Sequence, residues 1–259
     1  MKKFIAMLLA LVMVIGLVAC GQKAPEAAPE TAPATEPATE APTTEAPVEE
    51  APAEPEVAVM SYADYLAAEL DSEVVIETNV QNFQSWWDNK ITVYCQDDEG
   101  GAYFLYELAC SEEDAAKLVP GTRIRVTGYK GEWAGEVEIM SGTFEFVEGA
   151  DLTYIGATDY TDLLGTDEMI QHQNELAAFF GMTVEAIEYK NGEPGDDIYL
   201  TLSKDGVDYN FCVEVYLTNT DSDVYKTVAE LKEGDVVNVE GYLYWYEGMN
   251  PHITSIDLA

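Results

Sequence analysis

Basic residues are scarce in this chain of 259 residues: 12 Lys and Arg stand against 49 Asp and Glu, for a net charge of −37. Residues 58–259 hold 9 of those bases and 40 of those acids, which leaves −31 on that part alone. Such a surface repels polyanions. Nucleic-acid binding depends mainly on phosphate neutralisation by Lys and Arg, so no nucleic-acid partner is expected, and the acid serves solubility or attracts cations. Cysteine is also sparse. Cys20, Cys95, Cys110 and Cys212 are the four, and no Cys-x-x-Cys spacing occurs, which speaks against a disulfide framework or a zinc site. The last three read as small buried hydrophobes. Only two histidines occur, His172 and His252, and there is no Gly-x-Ser-x-Gly, His-Glu-x-x-His or phosphate-binding glycine loop. Carboxylates abound, yet no spacing singles out an acid and a base. The expectation is a protein that is not an enzyme and needs no cofactor and no metal.

Long apolar runs are absent except for one, Phe4 to Val18, behind Lys2 and Lys3. It is short for a membrane span and has the length of a signal-peptide core. The run ends in Leu17-Val18-Ala19-Cys20, which resembles the lipobox of bacterial lipoprotein signal peptides. The resemblance implies a signal peptide over 1–19, lipidation of Cys20, and a cell-membrane, lipid-anchored protein on the extracytoplasmic face. An ordinary secretory signal with a chance cysteine is the alternative. From residue 20 to 57 the chain is almost only Pro, Ala, Glu and Thr. Too little apolar surface is present there to offset the entropy of ordering, and proline and charge repulsion extend such a segment. A disordered spacer is expected.

After the spacer an internal repeat emerges. PGTRIRVTGYKGEW (120–133) matches EGDVVNVEGYLYW (233–245), and ITVYCQDDEGGAYFLYEL (91–108) matches IYLTLSKDGVDYNFCVEV (198–215). Two domains follow, 58–150 and 151–259. Periodicity predicts strands over 74–83, 90–96, 102–109, 122–130 and 136–147 in the first. In the second it predicts strands near 182–189, 197–203, 207–217, 235–245 and 251–258. Short helices are expected at 61–70, 111–118, 167–180 and 222–231, that at 111 opened by a capping box of Ser111 with Asp114. The class is mainly β with short helices (α+β). The order strand, strand, strand, helix, strand, strand resembles the OB-fold, a five-stranded Greek-key barrel, here twice in tandem. SYADYLAAELDSEVVIETNVQ, NFQSWWDNK and GYKGEWAGEVEI resemble tandem OB-like surface lipoproteins of Gram-positive type. That resemblance implies fold and location and brings no activity or catalytic residues.

OB-folds bind ligands on the face of strands 2 and 3, between the loops joining strands 1–2 and 4–5. In the first copy these are QSWWDNK (84–90) and KGEWAGE (130–136), which hold three of the four tryptophans: Trp86, Trp87 and Trp133. Aromatic faces stack on sugars, and Asp88, Asn89, Glu132 and Glu136 accept hydroxyl hydrogens. The same faces attract organic cations. The alternative is that the tryptophans plug the ends of a small barrel. In the second copy, alternation through Val237 and Val239 points Tyr242, Tyr244 and Tyr246 away from the core and leaves Leu243 and Trp245 inside. Ligand-binding residues are therefore expected at Trp86, Trp87, Trp133, Asp88, Asn89, Glu132, Tyr244 and Tyr246. The expected role is a non-catalytic binding module for a glycan or other cell-surface component. An adaptor contacting proteins and a calcium-dependent surface module are the alternatives. Asp97-Asp98-Glu99 and Glu112-Glu113-Asp114 supply oxygens for the latter but fit no EF-hand loop. Arg123 and Arg125, side by side on one strand face, either grip an anion or pair with neighbouring acids.

Overall fold

Eleven strands and four short α-helices carry the described part of the chain. The structure is a computed structural model and describes residues 58–259, which belong to one compact unit. The signal segment, Cys20 and the Pro/Ala/Glu/Thr segment lie outside the described residues.

The first module opens with α1 (Tyr62–Ala67) and continues through β1 (Glu73–Phe83), β2 (Lys90–Gln96), β3 (Ala102–Ala109), α2 (Glu112–Ala115), β4 (Arg123–Trp133) and β5 (Glu136–Phe146). The strands close into a barrel in the order β1-β2-β3-β5-β4. β1 pairs antiparallel with both β2 and β4, and β3 meets β5 in parallel. That is the OB-like pattern. Val74, Ile76, Val93, Leu105, Ile124 and Val126 alternate inward and fill it. The Ser111 hydroxyl accepts from the amide of Asp114 as the sequence indicates, and the Ser61 hydroxyl likewise accepts from the amide of Asp64, satisfying donors that a helix start leaves free.

The second module comprises β6 (Thr158–Asp159), β7 (Leu176–Tyr189), β8 (Ile198–Lys204), β9 (Val207–Val213), α3 (Val215–Thr218), α4 (Asp223–Glu230), β10 (Val236–Tyr242) and β11 (His252–Leu258). Its sheet has six strands, β10-β11-β9-β8-β7-β6, with β10 also paired to β7. The sixth strand departs from the five-stranded expectation. So does the start of β7: residues 176–180, expected in a helix, are strand, preceded only by 3₁₀ turns at Thr161–Leu163 and Met169–His172. The reason is tertiary. Ala177 and Ala178 pair with β6 on one edge, and Leu176 to Phe179 with β10 on the other. Ala177 and Phe179 face the second module's core and Leu176 faces the core shared with the first module, so Leu176, Ala177, Ala178 and Phe179 are all buried. A strand covered on both faces loses the alternation that marks strands in sequence.

A third, smaller core joins the modules. Tyr94 and Phe104 from the first pack with Leu176, Leu217 and Tyr242 from the second. The Tyr94 and Tyr242 rings stack at 4.4 Å between centroids. The β4–β5 hairpin tip adds polar contacts. Glu136 Oε2 accepts from the Trp245 amide at 2.8 Å, the Ala134 carbonyl accepts from the Glu247 amide, and Gln173 donates to the Gly135 carbonyl.

Candidate functional site

The expected site residues do not converge on one cleft. Asp88 and Asn89 have φ of 47° and 60° and make the two-residue turn between the bridged Trp87 and Lys90. Asp and Asn tolerate that left-handed geometry, so their presence there has a backbone explanation. Trp86 is half-buried against the first core and donates from Nε1 to the Cys110 carbonyl at 2.9 Å. Trp87 is 68% exposed and lines, with Trp86, Tyr106 and Tyr216, a shallow groove of about 370 Å³. Trp133 is not in an open loop. β4 runs up to it, and it stands 63% exposed, lining a neighbouring cavity that shares Gln84 and Tyr106 with that groove. Glu132 is exposed. Arg123 and Arg125 both pair with Glu77, the latter at 2.7 Å, so the acid-pairing alternative holds. Cys95, Cys110 and Cys212 are buried free thiols.

The tyrosines of the second module point away from its own core, as the register indicates, and Leu243 lies within it. The ladder shift between Glu240 and Gly241 takes its extra residue, Thr254, from β11, so the alternation of β10 runs on through it. Yet Tyr242 is only 1% exposed, because the first module covers it. Tyr246 stays half-exposed, and Tyr244 stacks on His252 at 4.4 Å.

Two cavities meet at this junction and share Glu214, Tyr244 and His252. One, of about 610 Å³, extends over β8 and β9 toward Asp197, Tyr199 and Asn210. The other, of about 450 Å³, extends over the first barrel toward Phe104, Trp133 and Glu138. Glu214 is the N-cap of α3, accepting from the Tyr216 amide at 3.3 Å through Oε1. Its Oε2 is buried without a partner, as is Asn250 Oδ1 beside the larger cavity. Burial pushes the Glu214 and Glu138 carboxyls up to about 7, and Glu136, wholly enclosed at the hairpin tip, up to about 8. His252, 2.9 Å from the Tyr94 hydroxyl through Nδ1, is pushed down to about 4 by burial and is a neutral imidazole at pH 7. Of the residues expected from the sequence, Tyr244 lines both cavities, Tyr246 the larger and Trp133 the smaller, whereas Glu214, Glu138, Asn250 and His252 were not expected there. The only signal for them was that the modules dock, which no single-module pattern carries. Among the described residues, no group of three or more His, Cys, Asp or Glu is placed to hold a metal ion. No helix of these residues is long and apolar enough to cross a membrane.

No family model matches the chain, and no curated protein does. Among solved structures it is similar to a murine DNA-binding protein bound with double-stranded DNA, at 13% identity, over 71% of this chain and 96% of that one, with a TM-score of 0.36. It is also similar to a replication protein A heterotrimer bound to single-stranded DNA, at 14% identity, over 70% and 50%, with a TM-score of 0.29. A third similarity is to asparaginyl-tRNA synthetase from Pyrococcus horikoshii, at 14% identity and a TM-score of 0.28. It covers 34% of this chain and spans only 20% of that one. These similarities correct two expectations. The neighbours are nucleic-acid-associated OB-fold proteins, which runs against a glycan-binding surface module and against the exclusion of a nucleic-acid partner. Both expectations are dropped, together with the adaptor and calcium alternatives tied to them. At these TM-scores the likeness itself assigns no ligand to this chain.

Proposed function

We propose that the chain is a non-catalytic, lipid-anchored receptor on the extracytoplasmic face, holding a metabolite-sized ligand in the cleft between its two modules. The lipobox-like Leu17-Val18-Ala19-Cys20 and the Pro/Ala/Glu/Thr spacer support the location. In this reading the second module is an OB-like barrel with an added strand, since β10 pairs with both β7 and β11, and His252 of β11 bridges Cys212 of β9.

The observation that carries the reading is the sharing of Glu214, Tyr244 and His252 by two cavities of about 610 and 450 Å³. Ligand sites are typically concave, of roughly 300–1,000 Å³, with few polar groups among aromatic walls. A buried acceptor without a partner costs about 1–3 kcal/mol, and Glu214 Oε2 and Asn250 Oδ1 are two such acceptors at the cleft. A bound donor removes that cost.

The test is a thermal-melt screen of the full chain, kept unlipidated by Cys20→Ser, with metabolite-sized compounds and with single- and double-stranded oligonucleotides. A ligand that binds only the folded state stabilises it by RT ln(1 + [L]/Kd). Asn210 is exposed at the wall of the larger cavity, so Asn210→Trp obstructs the cleft without touching the core. The expected result is stabilisation by a small compound that Asn210→Trp abolishes. Stabilisation by an oligonucleotide alone, indifferent to Asn210→Trp, overturns the reading.

A further inference from the structure

The cleft's chemistry points to one ligand class. The charged side chains lining the two cavities are all acidic: Glu188, Asp197 and Glu214 in the larger, Glu138 and Glu214 in the smaller. No Lys or Arg lines either one. The cation bound to these acids, Lys190, spans Asp196 at 3.4 Å and Asp197 at 2.8 Å, so its ion pairs are made with Asp196 and Asp197 and not with Glu214. His252 adds no positive charge at neutral pH. Glu214 is more than nine-tenths buried, lines both cavities, and has one oxygen without a partner.

Beside it the walls are aromatic. Tyr199, Tyr244 and Tyr246 face the larger cavity, and Phe104, Tyr106 and Trp133 the smaller. Electron-rich ring faces attract cations. A compact metal ion instead requires a shell of converging oxygens, and no such group of ligands stands among the described residues. An anion in this cleft would meet unscreened carboxylates. Burial holds the Glu214 carboxyl at about 7, so without a ligand it is only partly ionised at neutral pH. A neutral ligand does nothing for the ionised form, whose charge is costly in a buried site. An ammonium with N–H donors supplies both the opposite charge and the missing hydrogen bond, and an apolar body fills the aromatic walls.

Resting on the cleft reading above, we infer that its ligand is a primary organic ammonium with an apolar or aromatic body, its head group on Glu214 and its body against Tyr244 and the neighbouring rings.

Titration calorimetry of the full Cys20→Ser chain tests this with three compounds of one shape: 2-phenylethylamine, 2-phenylethanol and phenylacetate. Tetramethylammonium serves as a cation without N–H donors. The expected result is that the amine binds at least tenfold more tightly than the alcohol and tetramethylammonium, with phenylacetate weakest. Glu214→Gln, which keeps the Oε1 acceptor for the helix cap, reduces the amine's affinity about tenfold and leaves the alcohol's unchanged. Comparison of the compounds on the unsubstituted chain stands even if that variant fails to fold. Equal or tighter binding of the alcohol or phenylacetate, blocked by Asn210→Trp, overturns the ammonium inference and leaves the cleft reading intact. Tetramethylammonium binding as tightly as the amine overturns the role of N–H donation to Glu214. Absence of amine binding at 10 mM overturns the inference too. The oligonucleotide screen described above decides separately whether the cleft reading falls.

Discussion

Glu136 shows how a single residue couples the modules. One of its oxygens accepts the Trp245 amide across the junction, and the other is buried without a hydrogen-bond acceptor's usual donor. Burial raises its pKa from 4.5 to about 8, and those of Glu138 and Glu214 to about 7. A group whose folded pKa is raised holds its proton in the native state after the unfolded chain has released it. Its stabilising contribution is full below the unfolded value of 4.5 and is lost as pH rises through 7 to 8. His252 works in the opposite sense. Its folded pKa is lowered from 6.5 to about 4, so its contribution is present above 6.5 and lost as pH falls through 4. Between pH 6.5 and 8.5 only the glutamates act. The melting temperature is expected to fall across that window, and Glu136→Gln to flatten the fall and raise stability at pH 8 by about 1–3 kcal/mol. Melts at half-unit pH steps check this, and a flat profile for the unsubstituted chain contradicts it. The aromatic residues separate in the same way. Tyr242→Ala removes a fully buried ring stacked on Tyr94 and is expected to cost about 3–5 kcal/mol in chemical denaturation. Trp133→Ala removes an exposed ring and should change stability by no more than about 0.5 kcal/mol.

At the scale of elements, the β4–β5 hairpin is the arm that reaches the second module. Its turn residue Gly135 has φ of 96°, and a Cβ there would lie 2.8 Å from Trp245 Cδ1. Gly135→Ala therefore meets both backbone strain and a ring it must displace, and is expected to cost about 1–3 kcal/mol, measured by denaturant melts. Ser111→Ala should cost only about 1 kcal/mol, the usual value of an N-cap. Much at this scale was legible in the sequence. The repeat located the first module's strands and, apart from β6, the start of β7 and an overrun of β9 into α3, those of the second. Ser111 and Asp114 marked a helix start, and alternation through Val237 and Val239 turned the three tyrosines outward. What was not legible depends on a neighbour. Leu176 to Phe179 reads as helical because every position is apolar, and only the flanking β6 and β10 make it a strand. Tyr242 reads as outward, and only the first module's Tyr94 and Phe104 make it buried. Glu214 and His252 carry no motif; docking alone brings them to one cleft.

On the scale of the whole molecule, residues 58–259 are not two modules on a string but one body, and the proposed cleft exists only at their junction. The aromatic contact of Tyr94, Phe104 and Tyr242, the Glu136–Trp245 bond and the Tyr94–His252 bond all cross that junction. Contacts of this kind make the folding of one module depend on the other, and a cooperative unit unfolds in one transition. The most direct measurement is differential scanning calorimetry of the full Cys20→Ser chain beside its Tyr242→Ala variant. The account predicts a single transition for the parent, with calorimetric and van't Hoff enthalpies equal, and two separated transitions once the ring is removed. Two independent transitions already present in the parent would contradict it, since modules that melt apart do not hold a shared cleft.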